Sequence, residues 1–312
     1  MKSQYPMTTH NHITSVLNIF KGRTGKWLML FLLLLPALAT AQETKKLIIL
    51  QTSDVHSRIE PMTQEGDRNY GQGGFVRRAS FLRAYIHRCE KDGVRIVLGQ
   101  EVTLELIRKE NPDVLLFDCG DISQGTPYYN MFKGEVEVTL MNEMGYDAMT
   151  IGNHEFDFGL DNMARLFKLA KFPVVCANYD LDATVLKDIV KPYVILDRFG
   201  LKIGAKPEGL IQANKCEGVI YKDPIAVSND IAAQLKEEGC DVIVCLSHLG
   251  IQMDEKLVAN TRNIDVILGG HSHTFMESPK NYLNIDGKNV PVMHTGKNGI
   301  YVGRLDLTLN KK

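Results

Sequence analysis

No C-x-x-C pair occurs among the six cysteines, Cys89, Cys119, Cys176, Cys216, Cys240 and Cys245, which removes the common zinc-ribbon and thioredoxin-like arrangements. Cys119, Cys176 and Cys245 sit inside or just after apolar runs. There a thiol behaves as a small buried hydrophobe, so thiols rather than disulfides are expected even in an oxidising compartment. An excess of one charge sign is also missing: Lys and Arg number 36 against 37 Asp and Glu, a formal net charge of −1. That balance gives no electrostatic reason to expect nucleic acid or an anionic membrane surface as partner. Linkers rich in Pro, Gly or Ser, internal repeats and low-complexity stretches are lacking too. Nothing therefore divides the mature chain into separate domains. What remains is ordinary globular composition, 44% hydrophobic and 23% charged over 312 residues, enough for a sizeable core.

The first segment reads as a leader. Lys21, Arg23 and Lys26 precede the apolar run Trp27 to Leu35, and Pro36-Ala37-Leu38-Ala39-Thr40-Ala41 follows it. The run is too short to span a bilayer, and Ala39-x-Ala41 offers small residues at a cleavage position. The expectation is a signal peptide over 1–41 and a mature domain over 42–312. The protein would then be exported to the periplasm or secreted, with an uncleaved N-terminal anchor as the alternative. No Cys follows the apolar run, which argues against a lipoprotein anchor.

Short runs rich in Val, Ile and Leu recur beyond the leader: Leu47–Leu50, Val114–Phe117, Met149–Ile151, Val174–Cys176, Val242–Leu246, Val266–Leu268 and Val292–Met293. Runs of this length predict buried strands. Gly74–His87, Glu135–Met144, Asp161–Lys171 and Ser228–Glu238 carry apolar residues at three- and four-residue spacing, which predicts connecting helices. Alternating strand and helix points to a single α/β domain.

The strands run into Thr52-Ser53-Asp54-Val55-His56, Asp118-Cys119-Gly120-Asp121, Gly152-Asn153-His154-Glu155, Ser247-His248 and Gly269-Gly270-His271-Ser272-His273. Open α/β folds place their sites at the carboxyl ends of strands, so neighbouring strands would bring these groups to one edge. Asp, Asn and His without Cys form an oxygen and imidazole ligand set that suits Zn, Mn, Mg, Co or Fe. They are too many for one ion. Two divalent cations sharing one carboxylate and one water generate hydroxide near neutral pH and clamp an in-line displacement at phosphorus. Gly120, Gly152, Gly269 and Gly270 are expected to let the backbone turn sharply among the ligands.

Asp54-x-His56, Gly120-Asp121, Gly152-Asn153-His154-Glu155, His248 and Gly270-His271-x-His273, in that order, resemble the calcineurin-like metallophosphoesterase superfamily over Leu47 to Leu309. Ser123-Gln124-Gly125-Thr126-Pro127, the longer run through Phe156-Asp157, and Ala177-Asn178 resemble its 5′-nucleotidase branch, which includes UDP-sugar hydrolases. The resemblance implies a two-sheet sandwich flanked by helices. It also implies one metal on Asp54, His56, Asp121 and His273 and a second on Asp121, Asn153, His248 and His271. By the same resemblance, His154 faces the substrate phosphate as general acid, Asp157 orients it, and Asn153 and Asn178 contact substrate. A His held beside a phosphate by a carboxylate can stabilise developing charge and assist the leaving alkoxide. For His294, which ends a strand, a supporting or phosphate-binding role and simple packing are both open.

Three departures from the family pattern stand out. Gly204 runs almost directly into Pro207, so part of a core strand is expected to be missing. The segment from about Cys89 to Arg108 is longer than the usual helix-to-strand connection. The chain reaches Lys312 without the second domain that in this branch clamps the base, so nucleoside selection is expected to be absent or to come from a separately encoded nucleotide-binding domain. The activity expected is hydrolysis of small phosphate monoesters, 5′-nucleotides foremost, by in-line attack of a metal-bridging hydroxide. The alternatives are a phosphodiesterase for cyclic nucleotides or nucleotide sugars and a catalytically weak metal-binding module.

Overall fold

The computed structural model describes residues 44–89, 114–198, 201–209 and 216–310. The expected signal peptide and the lengthened connection after Cys89 lie outside the described residues. The elements begin with β1 (Thr44–Thr52), α1 (Phe75–Cys89), β2 (Val114–Asp118), α2 (Pro127–Phe132), α3 (Glu135–Met144) and β3 (Ala148–Thr150). A 3-10 turn at His154–Phe156 leads to α4 (Gly159–Leu169), β4 (Val174–Val175), β5 (Tyr179–Asp180), β6 (Val194–Arg198), β7 (Leu201–Gly209) and β8 (Ile220–Tyr221). The remainder is α5 (Pro224–Glu237), β9 (Val242–His248), α6 (Ile251–Ala259), β10 (Val266–Gly269), β11 (Lys280–Leu283), β12 (Asn289–His294) and β13 (Gly303–Asn310). Apart from the outer ends of β1 and β13, all of this belongs to one compact unit, Lys46–Thr308.

The strands form a five-stranded sheet in the order β13-β1-β2-β3-β4 and a six-stranded sheet in the order β11-β12-β10-β9-β7-β6, with β5 and β8 as a small pair. The pairings β1–β2, β2–β3 and β3–β4 are parallel, as are β7–β9, β9–β10 and β10–β12. Antiparallel β6 and β11 close the edges of the larger sheet. Strands covered on both faces need apolar residues at every position, and the sequence supplies them. On one face Leu50, Leu116, Met149 and Val174 join a core with Phe75, Val138, Met141, Met163 and Leu166 of α1, α3 and α4. Ile243, Cys245, Ile267 and Val292 join a second core with Ile231 and Leu235 of α5 and Leu257 of α6. The alternate residues Ile49, Leu115, Phe117, Val244, Leu246, Val266 and Leu268 are equally buried, and by strand alternation they face the opposite sheet. The sheets also meet through hydrogen bonds, Gln51 Nε2 to the Gly269 carbonyl at 2.8 Å and Cys119 Sγ to the Leu268 carbonyl at 3.2 Å. The result is the expected two-sheet sandwich with helices on both outer faces.

Local signals fix the helix ends. α3 occupies the stretch read from periodicity and lies between Gly134 and Gly145, both in the left-handed region at φ 95° and 66°. α5 starts earlier than its periodicity indicated, because Asp223 accepts a hydrogen bond from the Ala226 amide and Pro224 takes the first helical position, a strong N-terminal signal. Cys119, Cys176, Cys216, Cys240 and Cys245 are buried thiols.

The expected loss of a core strand near Gly204–Pro207 is not what the structure has. Leu201–Gly209 is a continuous strand, paired with β6 as far as Ala205 and with β9 from Ile203↔Val242 to Gly209↔His248. Gly204 and Pro207 read as breaks because each weakens a ladder. Pro207 lies past the last β6 partner, however, and a strand with a neighbour on one side only tolerates proline there.

Candidate metal centre

Both sheets deliver their carboxyl ends to one place. From the first, β1 leads to Asp54 and His56, β2 to Asp121, and β3 to Asn153 and His154; from the second, β9 ends on His248 and β10 leads to His271 and His273. Asp54, His56, Asp121, His271 and His273 all adopt left-handed backbone, with φ of 50°, 50°, 56°, 75° and 52°. Each such non-glycine residue costs on the order of 1–3 kcal/mol and persists only where its surroundings hold it. Hydrogen bonds between loops do that here. Asp54 N donates to Gly120 O (2.9 Å), His56 N to Asp121 O (3.0 Å) and Asn298 N to Asp54 O (2.8 Å). His271 N reaches Asp54 Oδ1 at 2.9 Å, so the carboxylate of one sheet anchors the ligand loop of the other.

The donor atoms converge. Asp54, His56 and His273 form one group with ligand atoms mutually within 4.8 Å, and Asp121, His248 and His271 form a second. Asp121 also groups with His56 and His154, which puts it between the other two sets. His56 Nε2 lies 2.9 Å from His273 Nε2, and His271 Nδ1 lies 2.9 Å from Asn153 Oδ1. The Nδ1 of His248 donates to the Cys119 carbonyl at 2.6 Å, directing Nε2 to within 3.1 Å of Asp121 Oδ2. Lone pairs of oxygen and imidazole turned toward one another fit a divalent cation, and a backbone carbonyl behind a ligating imidazole fixes its tautomer.

For three of the imidazoles the electrostatics agree. Burial, followed by the neighbouring His56 and Lys297, pushes His273 down to about 4, and burial lowers His56 and His271 as well. These three imidazoles are therefore neutral near pH 7, the form that binds metal. Burial pushes Asp54 up to about 6, with the like charge of Asp121 adding to it. For Asp121 burial pulls upward but is outweighed by His248, and the carboxylate stays ionised well below its ordinary range. The imidazole of His248 moves the other way, to about 10, because Asp121, Asp54 and the Cys119 carbonyl outweigh its burial.

His154 stands beside this cluster, its ring 5.4 Å from that of His56. Its Nδ1 is 2.9 Å from Asp157 Oδ2, and its amide donates to Asp121 Oδ1 at 2.9 Å. The two side chains are 26% and 21% exposed, so His154 can meet a ligand from solvent. The side chain of Asn178 is fully buried, with Cys176 Sγ 3.7 Å from Oδ1.

The motif glycines act differently from the expected turns. Gly120 alone among them has positive φ, at 87°. Gly152 is required by close approach, since a Cβ there would lie 2.2 Å from Asp121 Oδ1. At Gly269 a Cβ would lie 2.1 Å from His294 Nε2. That space holds a buried brace: His294 Nε2 binds Asp254 Oδ2 at 2.7 Å, and Ser247 Oγ donates to the other oxygen of Asp254. His294 thus supports the strand ends carrying His248 and His271 and is too buried, 1% exposed, to meet phosphate.

Sequence reasoning also missed Glu155. It is buried and accepts from the amides of Asp121 (3.0 Å), Ser123 (3.2 Å) and Gly152 (2.6 Å), tying two ligand loops together. An acid directly after His154, in a loop of otherwise small and ligating residues, was the available signal. Lys297, near enough to His273 to depress its basicity, carried no such signal.

A calcineurin-like phosphoesterase family profile matches residues 47–275. The chain is 30% identical over 300 residues to the venom 5′-nucleotidase of Crotalus adamanteus, covering 88% of this chain and 47% of that one. Among solved structures, the 5′-nucleotidase precursor of Thermus thermophilus superposes with a TM-score of 0.71 at 29% identity, covering 84% of this chain and 51% of that one. The NAD nucleotidase of Haemophilus influenzae gives 0.71 at 28% identity, covering 86% and 48%. The chain thus spans about half the length of these relatives.

Proposed function

This chain belongs to the calcineurin-like phosphoesterase family, and on that footing we propose that it hydrolyses phosphate monoesters, 5′-nucleotides foremost, at the cluster around Asp121. The observation that carries the reading is Asp121 lying between two donor groups with the His154–Asp157 pair alongside. Asp54, His56, Asp121 and His273 would hold one divalent cation and Asp121, Asn153, His248 and His271 a second. When bound, such a pair polarises the phosphoryl group and makes water a nucleophile near neutral pH. Asp157 accepts from His154 Nδ1, which leaves Nε2 to donate to the leaving-group oxygen as the ester bond breaks. Asp121 and Glu155 hold the His154 loop through backbone amides, so the acid is in place before substrate arrives. The relatives named 5′-nucleotidase support the nucleotide preference, and the leader-like Lys21 to Ala41 supports export. Among the described residues no helix is long and apolar enough to cross a membrane.

The test is a panel with Mn²⁺, Zn²⁺, Mg²⁺ and Co²⁺ against p-nitrophenyl phosphate, its bis ester, AMP and a UDP-sugar. Metal-dependent release of phosphate from the monoesters is expected. Cleavage confined to the bis ester or UDP-sugar would make the protein a diesterase, and metal binding with no turnover on any substrate would make it a binding module.

A further inference from the structure

Two residues past His273, the ring of Phe275 stacks on that of Tyr301, centroids 3.9 Å apart and planes 21° off parallel. The two residues remain 48% and 41% exposed. Large rings stacked on each other in water are not core, and their geometry is fixed from below. Phe275 bridges to Thr295, the Gly296 amide donates to the Thr274 carbonyl at 2.8 Å, and a Cβ at Gly296 would lie 3.6 Å from Phe275 Cβ and from the Tyr301 ring. The same two loops reach the metal cluster. The loop of Phe275 begins at His273, and the loop of Tyr301 begins with Lys297 beside His273 and Asn298, whose amide donates to Asp54 O. Tyr301 also lines an open recess of about 580 Å³ with Phe81, Ile300, Gln72 and Arg77, within the usual size range for small-molecule sites.

We propose that the Phe275–Tyr301 pair is the platform on which the base of a nucleotide substrate stacks, so that this chain carries a base-recognition surface of its own. The proposal rests on the nucleotide-hydrolysing reading above. Aromatic faces accept any base, because every base presents a π-face. The platform would therefore favour nucleotides over ring-less phosphates without choosing strongly among bases. Stacking made equally in ground and transition states lowers KM rather than raising kcat.

AMP and ribose 5-phosphate share sugar and phosphate and differ by the base, so their efficiency ratio isolates the platform. Wild type should prefer AMP by about tenfold or more, in KM. Tyr301→Ala and Phe275→Ala should collapse that ratio toward one, and Tyr301→Phe should preserve it. Adenosine binding to the metal-depleted chain, read by calorimetry, should be lost in the same two Ala variants. A wild-type ratio near one, or a ratio unmoved by either Ala variant, overturns the platform. If neither ester is cleaved, the phosphoesterase reading fails while adenosine still decides: binding that Tyr301→Ala abolishes upholds the platform, and no binding, or binding indifferent to both rings, overturns it.

Discussion

Gly152→Ala should cripple the centre without replacing a single candidate ligand. Gly152 has ordinary backbone, so alanine meets no conformational penalty, and the effect is purely steric. The new Cβ would fall 2.2 Å from Asp121 Oδ1, whereas ordinary contact begins at 3.4 Å. The difference, 3.4 − 2.2 = 1.2 Å, must be absorbed by the Asp121 carboxylate or by the Gly152 loop. Neither can yield easily. Asp121 is fixed by His154 N and its own amide by Glu155, and the Gly152 amide is fixed by Glu155 at 2.6 Å. A displacement of roughly 1 Å in a catalytic array costs on the order of 100-fold in rate, or about 2.7 kcal/mol of transition-state stabilisation. Overpacking should also remove about 1–3 kcal/mol of stability. The assay is kcat/KM on p-nitrophenyl phosphate at saturating Mn²⁺, with bound metal measured by elemental analysis and stability by urea denaturation. Wild-type kcat/KM in a folded, metal-loaded Gly152→Ala would refute the close-packing account of this motif.

Asp121→Ala should lose turnover and most bound metal together, because one carboxylate serves both donor groups and its loss leaves two cations repelling each other; normal hydrolysis by that variant would sink the shared-ligand arrangement. His154→Ala should keep its metal and lose about a hundredfold or more in kcat, so metal loss on that substitution would make His154 a ligand instead. Asp118 gives a pH signature. Burial, its largest influence, raises its carboxyl from the ordinary 3.8 to about 7, even though Thr52, Arg78 and Gly120 oppose the shift. The folded chain therefore binds more protons than the unfolded one between those values, and stability should fall as pH rises from about 4 to about 7 and level off above. In urea titrations of metal-free protein, Asp118→Asn should flatten that slope, and an unchanged slope would place its origin elsewhere.

The helices α1 and α3 and the strands β1, β2, β9 and β10 were legible because each is a local pattern, an unbroken apolar run or a three-and-four spacing. β11 was not, since its residues are mostly exposed, and an edge strand need not bury either face. β7 was hidden by Gly204 and Pro207, residues that usually end a strand; here Gly204 is paired on both sides and Pro207 lies where only β9 is a neighbour. The ligand candidates announced themselves because each lies within a few residues of a strand end, so five short stretches of sequence hold them all. What supports them was invisible for the opposite reason. Asp254 and His294 are 40 residues apart, Phe275 and Tyr301 are joined only through space, and no residue pattern relates such partners until the chain is folded.

Because the candidate ligands come from both sheets, their order along the chain sets the order in which they emerge during synthesis. Asp54, His56, Asp121 and Asn153 emerge first, and His271 follows its contact partner Asn153 by 118 residues. At about 5–20 residues per second, Asn153 waits roughly 6–24 s for His271. A ribosome-bound fragment ending before β9 would hold Asp54, His56, Asp121 and Asn153 without His248, His271 and His273, so neither donor group is complete until the chain is long enough to pair both sheets.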